Sequence, residues 1–381
     1  MKKRLGDYIQ EYSVRNKSGE DIPVYSITNS QGFCRDYFSK EVASKDKTTY
    51  KIVPRGCFAY NPSRINVGSV DWQRDEERVI VSPLYNVFSV SPEVDQQYLY
   101  YYLKSSATLY RIKEVATGSV RDNLRLSMLY DLMIELPSLD VQRQIVSNLD
   151  LLASIIRQRN QQLTKLDELI KARFVEMFGD MLLNSLEWPE KPLEGLADIV
   201  SGITKGRKTT ETGLIEVPYM AVSNVKSGYI DWTTIKTILA TKQEIEQYRL
   251  MPDDILMTEG GDPDKVGRGA IIKNPLKDSI HQNHIFRVRL DKSELLPAYF
   301  AEYLQHQKAK RYFLGCAKQT TGIASINMRQ LRALPVLIPP LSLQNQFAAF
   351  VAEGDKSKVE VQKALDQTQL LFDSLTQQYF G

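Results

Sequence analysis

The chain carries PSLDVQRQI at residues 137–145 and PPLSLQNQF at residues 339–347, and the stretches that these motifs open end in MFG (177–179) and YFG (379–381). The offset is 202 residues throughout, with no gap. Eight of the 43 paired positions are identical, and most of these lie at the two ends of the stretch. Unrelated segments are not expected to share a start, a stop and a length. The sequence therefore predicts an internal duplication.

The residues upstream of each stretch also correspond, in the same order and with small gaps. The paired segments are LGDYI (5–9) and LADIV (196–200), PVYSITN (23–29) and PYMAVSN (218–224), and YLYYYL (98–103) and YFAEYL (299–304). We therefore predict two copies of one plan, a mixed domain followed by a long helix. The predicted parts are a first domain over 1–136, a first long helix over 137–180, a second domain over 181–338 and a second long helix over 339–381.

The first long segment has the pattern of an amphipathic helix. Residues 141–178 contain no Pro or Gly, and apolar residues recur at alternating steps of four and three, which is the a/d seam of a coiled coil. At about 1.5 Å per residue this helix would span on the order of 57 Å. The predicted seam residues are Ile145, Leu149, Leu152, Ile156, Leu163, Leu166 and Ile170.

The second long segment has a weaker pattern, with Val361, Leu365 and Phe372 as its clearest seam residues. Gly354 falls inside it and is predicted to kink or interrupt the helix, because Gly costs about 1 kcal/mol relative to Ala in a helix interior. A helix this long cannot bury its apolar stripe alone. We expect the two helices to pair antiparallel as a rod; the alternative is two separate core helices.

The domains between the long helices are predicted to be mixed. Short β-like runs at 77–81, 87–90, 270–272 and 285–290 alternate with turn clusters, and helical patterns follow at 96–114 and 296–313. The predicted fold class is α+β, with two similar mixed α/β domains, two long antiparallel coiled-coil-like helices and an internal pseudo-two-fold repeat.

Composition narrows the class of protein. The chain has 381 residues, 43% hydrophobic and 25% charged, which are ordinary globular values. Its net charge of +3 excludes a uniformly basic coat but not a local basic surface. No stretch approaches about 18 uninterrupted apolar residues, and no apolar region follows the basic N-terminus, so neither a membrane span nor a secretory signal is expected. Cys34, Cys57 and Cys316 are scattered and are predicted to be reduced thiols in a cytoplasmic protein.

Catalytic signals are scarce. His281 and His284 form an HxxH pair, but no third His or Cys lies nearby, so a metal site is not expected. The sequence has no Ser/His/Asp candidate with supporting context, no paired carboxylates typical of glycosidases, and no NPPY-type or FxGxG-type methyltransferase motif. This scarcity favours recognition over catalysis.

The segment YNPSRINVG (60–68) is the first candidate for DNA contact. Asn can bond adenine through two hydrogen bonds, and Arg can bond O6 and N7 of guanine. The alternative is a loop that satisfies its own backbone. The candidate residues are Tyr60, Asn61, Ser63, Arg64 and Asn66.

The second copy has its own polar segments. EGGDPDKVGRGA (259–270) lacks the P-loop order, but its glycines would let backbone amides approach a phosphate beside Lys265 and Arg268. The alternative is a plain hairpin turn. Basic or polar side chains elsewhere suit phosphate or base-edge contacts, although each alone is more typical of solvated surface. These further candidates are Arg121 and Asn123, Lys205, Arg207 and Lys208, Gln282 and Asn283, and Lys318, Gln319 and Thr320.

Taken together, two variable mixed domains, each followed by a PxLxxQxQ-led helix that ends in FG, resemble the specificity (S) subunit of type I restriction–modification enzymes. The resemblance covers nearly the whole chain. FAYNPSRINVGS (58–69) and ILMTEGGDPDKVGRGAII (255–272) are also similar to segments of the target-recognition domains in that family. The resemblance implies that each domain reads one half of a split, asymmetric site in double-stranded DNA, with the helices fixing the spacer.

The resemblance also implies partners. Two methylation (M) subunits would bind the helices, bring S-adenosylmethionine and methylate adenine, and restriction (R) subunits would add translocation and cleavage driven by ATP and Mg²⁺. This chain itself would be non-catalytic and hold no cofactor. The alternatives are the same role in a type IIB-like or methylation-only system, a fused enzyme, or a helical scaffold that does not bind DNA.

Overall fold

A computed structural model of the chain describes residues 2–35, 46–116, 123–206, 213–262, 265–320 and 322–381. Its contacts divide the chain into two units. Unit 1 comprises residues 1–161 and 362–381, and unit 2 comprises residues 162–361. Each unit therefore contains one mixed domain and a part of both long helices.

Unit 1 is built around a four-stranded antiparallel sheet in the order β2-β9-β6-β7. Strand β1 pairs antiparallel with β10, which closes the domain beside the start of the long helix α4. The strands are β1 (Lys2–Arg4), β2 (Ile9–Glu11), β3 (Ser26–Thr28), β4 (Gly32–Cys34), β5 (Lys51–Pro54), β6 (Phe58–Tyr60), β7 (Val70–Trp72), β8 (Arg78–Val81), β9 (Asn86–Val90) and β10 (Met133–Glu135). The helices are α1 (Gln96–Lys104), α2 (Ser106–Val115) and α3 (Leu126–Tyr130). Unit 1 also contains the first part of the long helix α4, whose full range is Leu139–Phe178.

Unit 2 repeats this arrangement with a four-stranded antiparallel sheet in the order β12-β19-β15-β17. Strands β11 and β22 pair as β1 and β10 do. The strands are β11 (Glu190–Pro192), β12 (Ala197–Ser201), β13 (Ile215–Met220), β14 (Lys236–Ala240), β15 (Asp254–Thr258), β16 (Gly260–Gly261), β17 (Gly269–Ile272), β18 (Ile280–His281), β19 (Ile285–Leu290), β20 (Lys318–Thr320), β21 (Ile323–Ser325) and β22 (Pro335–Leu337). The helices are α5 (Lys242–Tyr248), α6 (Pro297–Gln305), α7 (Gln307–Cys316) and α8 (Met328–Arg332). Unit 2 also contains the first part of the long helix α9, whose full range is Leu341–Phe380.

The two sheets have the same connectivity, strand for strand. In each unit the first strand lies at one edge, the last strand pairs with it, and the two middle strands of the sequence follow. The α+β class and the internal repeat are therefore confirmed. All four predicted β runs are strands, as β8, β9, β17 and β19.

The predicted helix over 96–114 is broken at Ser105, and the one over 296–313 is broken at His306. Both residues adopt extended backbone angles, so each predicted helical stretch is formed by two consecutive helices. The Ser105 hydroxyl accepts from the backbone N–H of Thr108, and the His306 ring accepts from that of Lys308. Each side chain thus caps a new helix, which the apolar periodicity alone does not reveal.

Both long helices are continuous over 40 residues, Leu139–Phe178 and Leu341–Phe380. The predicted interruption at Gly354 was wrong, because α9 runs through this residue. A Cβ at Gly354 would lie 3.3 Å from Cδ1 of Ile170, so the glycine leaves room for an apolar side chain of α4. Close packing against α4 accounts for a glycine that the helix itself would disfavour.

The repeated PxLxxQ motif anchors the start of each long helix. Gln142 is fully buried; its Oε1 accepts from the Asp95 N–H at 2.9 Å, and its Nε2 donates to the carbonyls of Glu93 at 3.0 Å and Pro137 at 2.9 Å. This one amide therefore joins the helix start to the N-terminus of α1.

Gln344 makes the same three bonds in unit 2. It accepts from the Leu296 N–H at 2.8 Å and donates to the carbonyls of Glu294 at 3.0 Å and Pro339 at 2.8 Å. The shared glutamine of the two motifs is thus a structural residue with one role, repeated.

The repeated FG motif ends each helix inside a core. Phe178 packs in unit 2 with its ring centroid 4.8 Å from that of Tyr299, and Phe380 packs in unit 1 at 5.2 Å from Tyr98. These two tyrosines are equivalent in the repeat. Helix α4 therefore begins in unit 1 and ends in the core of unit 2, while α9 does the reverse.

Within each unit, the beginning of one long helix lies with the end of the other, so the pairing is antiparallel. In unit 2, Phe174 contacts Phe347, and Asp167, earlier in α4, forms an ion pair with Lys358, later in α9. The alternative of two separate core helices is excluded by this packing. Of the seam residues, Ile145, Leu149, Ile170 and Leu365 are buried, whereas Leu152, Ile156, Leu163, Leu166, Val361 and Phe372 are half-buried.

Candidate DNA interface

The loop between β6 and β7 in unit 1 holds most of the first candidate residues. Arg64 is exposed, and Asn61, Ser63 and Asn66 are half-buried. The Asn61 side-chain oxygen accepts from the backbone N–H of Ser63 at 3.1 Å and from its hydroxyl at 2.9 Å. This local turn fixes the loop and leaves the Arg64 guanidinium at the surface.

Tyr60 is a core residue, which corrects its place among the candidate contacts. It is fully buried at the end of β6; its hydroxyl donates to the Leu124 carbonyl at 3.0 Å and accepts from the Asn86 amide at 2.9 Å. Since both polar functions of the hydroxyl are satisfied inside the unit, Tyr60 supports the loop and has no surface to offer DNA.

Two further segments of unit 1 lie against this loop. The Lys104 ammonium donates to the carbonyls of Gly68 at 3.0 Å and Asn29 at 2.6 Å, which joins the loop to the β3–β4 turn. The Leu124 N–H donates to the Pro62 carbonyl at 3.0 Å, which places the exposed Asn123 nearby. Lys104 was not among the predicted residues, because its position at the end of an aromatic helix gives no sign of this role.

In unit 2 three of the predicted polar segments converge. The backbone N–H of Glu259 donates to the His284 carbonyl at 3.0 Å, and Gly260 and Gly261 pair with Ser325 and Ala324 of β21. Strand β21 pairs in turn with β20, which carries Lys318. The described residues of segments 259–262, 265–268, 282–284, 318–320 and 322–325 therefore form one surface, although the segments are far apart in the sequence.

The basic loop near Lys205 joins the same surface. The Ile203 N–H donates to the His281 carbonyl at 2.9 Å, and the Asn283 N–H donates to the Ile203 carbonyl at 3.1 Å. A Cβ at Gly202 would lie 1.9 Å from the His281 carbonyl oxygen, so only glycine allows this approach. Lys205 itself is exposed.

The remaining candidates of unit 2 have mixed settings. Lys265 is exposed and forms an ion pair with Asp262, and this hydrogen-bonded ammonium lowers the pKa of the Asp262 carboxyl. Arg268 and Asn283 are half-buried, and the Gln282 side-chain oxygen accepts from the Val222 N–H at 3.3 Å. Arg121, Arg207 and Lys208, together with the side chains of Gln319 and Thr320, lie outside the part of the chain that the structure describes.

The HxxH pair is divided between the core and the surface. His281 is fully buried, with Nδ1 at 3.2 Å from the Tyr248 carbonyl and Nε2 at 3.3 Å from that of Val200, whereas His284 is exposed and bonds Glu259. Over the described ranges of the chain, no group of three or more His, Cys, Asp or Glu side chains is placed to hold a metal ion.

Burial of His281 gives a testable pH dependence. Desolvation lowers its pKa from 6.5 to about 4, so the folded chain keeps the imidazole neutral. The unfolded chain takes up this proton below pH 6.5, so the contribution of neutral His281 to the free energy of unfolding is complete above that pH. This contribution, roughly 3 kcal/mol, is lost as the pH falls towards 4. The measurement is the unfolding free energy from pH 7 to pH 4 for the wild type and for His281→Gln. Parallel pH profiles would refute this assignment.

Glu259 and His284 belong to the candidate surface but were not among the predicted DNA contacts. Glu259 and His284 line a cleft of about 540 Å³ in unit 2 together with Val222, Gly260, Gly261, Asp262 and Ser325. In the sequence, a single Glu beside two Gly residues matches no binding motif. Only the fold brings Glu259 next to His284.

Cys34, Cys57 and Cys316 are free thiols, with Cys57 buried. None of the helices in the described residues is both long and apolar enough to cross a membrane.

The fold and the two loop surfaces define a duplicated α+β protein with paired long helices. The type I restriction modification DNA specificity domain matches residues 6–165 and 185–368, which together make up most of the chain. The chain therefore belongs to the family of type I restriction–modification DNA specificity proteins.

Individual relatives are distant. The chain is 26% identical over 182 residues to the putative type I restriction enzyme MjaX specificity subunit of Methanocaldococcus jannaschii, covering 47% of this chain and 42% of that subunit. It is 22% identical over 300 residues to the EcoKI specificity subunit of Escherichia coli K12, covering 74% and 64%, and 23% identical over 305 residues to the StySPI specificity subunit of Salmonella potsdam, covering 75% and 65%. The matches thus span less than two thirds of each relative's length.

Solved structures share the fold. The S subunit of a type I restriction–modification system from M. genitalium superposes with a TM-score of 0.56 at 15% identity, covering all of this chain and 96% of that one. A chain solved in work on complex assembly and conformational transition of the type I R–M system gives a TM-score of 0.58 at 14% identity, covering 100% and 97%.

Proposed function

We propose that this chain is a DNA-specificity subunit in which each unit reads one half of a split, asymmetric site. One observation carries the proposal. The loop between β6 and β7 in unit 1 and the segment between β15 and β17 in unit 2 connect equivalent strands of the repeated sheet. Both segments carry side chains that suit base and phosphate contacts.

The two loops share a position but not a sequence. Unit 1 presents Arg64 and Asn66, whereas unit 2 presents Glu259 with Asp262, Lys265 and Arg268. Because the hydrogen-bonding groups differ, the two units would select different bases in the major groove. A repeated frame with different reading loops is what an asymmetric bipartite site requires.

We further propose that the long helices hold partner subunits and set the spacer between the half-sites. Their outer faces expose large apolar residues: Leu151, Leu370 and Leu371 in unit 1, and Leu169, Val175 and Val359 in unit 2. Apolar side chains left in water along a helix favour a helical partner. In unit 2, Val175 also borders a groove of about 960 Å³.

In this proposal the chain itself is non-catalytic and works in the cytoplasm. Two methylation subunits would supply adenine methylation from S-adenosylmethionine, and restriction subunits would supply cleavage with ATP and Mg²⁺. A type IIB-like or methylation-only system would change these partners but not the role of this chain. A helical scaffold without a DNA role is the alternative of a different class, and it forbids sequence-specific binding.

The test is methylation mapping by single-molecule sequencing in a host that lacks adenine methylation of its own. One strain carries a candidate methylation subunit alone, and the other carries that subunit with this chain. We expect a split motif that is methylated only when the chain is present. A methylation subunit that co-purifies with the chain and still methylates no split motif would reject the proposal.

Exchange of one domain tests the modular reading. Replacing residues 1–136 with the corresponding domain of a relative is expected to change one half-site and to leave the other half and the spacer unaltered, because each unit has its own reading loop. Methylation mapping of the hybrid gives the result directly. A change in both halves would contradict separate reading.

Lengthening the helices tests their role as a spacer. Inserting four residues near Thr164 in α4, with a matching insertion at the unit boundary near Val361 in α9, adds about 6 Å of helix. We expect both half-sites to persist with a spacer longer by about two base pairs. An unchanged spacer in an active complex would show that the helices do not determine it.

A further inference from the structure

The cleft in unit 2 is a candidate binding site that is lined by the acidic side chain of Glu259. It is lined by Glu259, Gly260, Gly261, Asp262 and His284, with Val222 and Ser325 at its sides. Two successive glycines leave bare backbone in the lining, so a flat group can approach Glu259 closely. Lys318 pairs through its backbone with Ser325 on the neighbouring strand, which adds a basic residue at the margin.

Glu259 is held rigidly in this cleft. Its N–H donates to the His284 carbonyl at 3.0 Å, and its carbonyl accepts from the Ile326 N–H at 2.8 Å, so both sides of its backbone are fixed. The preceding residue, Thr258, is fully buried. The side chain therefore begins from a fixed point, which is what selective recognition requires.

The carboxylate of Glu259 is also oriented. Its Oε2 lies 2.5 Å from Nδ1 of His284, and Nε2 of the same ring lies 3.4 Å from the Asn283 amide nitrogen. A carboxylate oxygen accepts, so Nδ1 of His284 is the donor in this pair. Oε1 makes no hydrogen bond to any residue the structure describes, and the side chain is 35% exposed.

A carboxylate at a DNA-binding surface is repelled by phosphates, so it favours binding only where a base donates a hydrogen bond to it. In the major groove the exocyclic amines of cytosine and adenine are the donors. In both pairs the amine has an acceptor of the paired base on one side. On the other side adenine carries N7, which would repel the carboxylate, whereas cytosine carries a C–H. Guanine and thymine offer acceptors at the corresponding edge.

We propose that Glu259 reads the N4 amine of cytosine at one C·G pair in the half-site recognised by unit 2, with His284 as the residue that positions its carboxylate. This inference rests on the proposed function and adds the base that the cleft selects. It also predicts that the other positions of the site do not depend on Glu259.

The test uses the chain assembled with its methylation subunit. Methylation mapping compares the wild type, Glu259→Ala and the matched control Glu246→Ala, an exposed glutamate on α5. For Glu259→Ala we expect one C·G position of one half-site to accept other pairs, with discrimination there lowered about 10- to 100-fold and the other half-site unchanged. The control should keep the wild-type motif.

Each other result has a distinct meaning. An unaltered motif, or relaxation only at an A·T pair, overturns the cytosine assignment and leaves the split-site function standing. If Glu259→Ala abolishes methylation, binding competition among duplexes substituted at each position decides the matter, with Glu259→Gln as the variant of equal volume. Undiminished selectivity in both variants overturns the inference. A wild-type complex that methylates no split motif would instead contradict the proposed function.

Discussion

Phe380→Ala is expected to destabilise unit 1 by about 4 kcal/mol, the usual cost of removing a buried aromatic ring. Phe380 is 6% exposed, and its ring packs edge-on against Tyr98 at 5.2 Å and Tyr102 at 6.1 Å. Truncation leaves a cavity among large rigid rings, which cannot collapse to fill it. The measurement is the unfolding free energy in urea, with hydrogen exchange to locate the unit that opens.

Two further variants test whether the loss of stability depends on the position of the removed side chain. Phe178→Ala should give a similar loss in unit 2, where Phe178 packs against Tyr299 and Phe347. Leu370→Ala removes an apolar side chain from the same helix as Phe380 but at a position 71% exposed, so we expect a change within about 0.5 kcal/mol. A loss below about 1 kcal/mol for Phe380→Ala, or exchange that rises equally in both units, would contradict the packing described here.

Gln142→Ala is expected to cost about 3 kcal/mol in unit 1. The change leaves the Asp95 N–H and the carbonyls of Glu93 and Pro137 without the partner they have in the folded chain, and each buried polar group left unsatisfied costs about 1–3 kcal/mol. Because the three bonds fix the start of α4 to α1, we also expect faster hydrogen exchange in the first turns of α4.

The same motif supplies its own control. Gln144 is also shared by both copies, but it is exposed and only bonds Asn148 on the next turn at 3.2 Å. Gln144→Ala should therefore change the unfolding free energy by less than about 0.5 kcal/mol. Gln344→Ala should reproduce the effect of Gln142→Ala in unit 2. Equal losses for Gln142→Ala and Gln144→Ala would show that the buried amide has no special role.

The duplication and the long helices were predictable because they repeat at a fixed offset and have a period that needs no tertiary information. The role of Gln142 was not, because its partners lie in residues 93–95 and around Pro137 and are brought to it only by the fold. Ser105 and His306 show the same limit, since a helix cap in the middle of an apolar pattern leaves the periodicity nearly intact.

The candidate surface was predictable in part. Exposed Arg64 and Lys205 kept the surface positions that their side chains favour, whereas Tyr60 turned inward because the strand that holds it is buried on both faces. Glu259 escaped notice because its meaning depends on His284, 25 residues further along the chain. Whether a side chain can contact a base depends on its position in the fold, whereas a single sequence gives only the chemical type of the side chain.

The exchange of helix ends between the units bears on how the chain acquires its structure during synthesis. The core that includes Leu5, Phe58 and Tyr98 also contains Phe380. On the ribosome this core stays incomplete until the last helix has emerged, so nascent unit 1 exposes aromatic surface while some 200 further residues are translated. Contacts of such sequence separation slow folding and lengthen the time in which the chain can aggregate. We therefore expect nascent chains of this protein to bind chaperones until α9 has been translated.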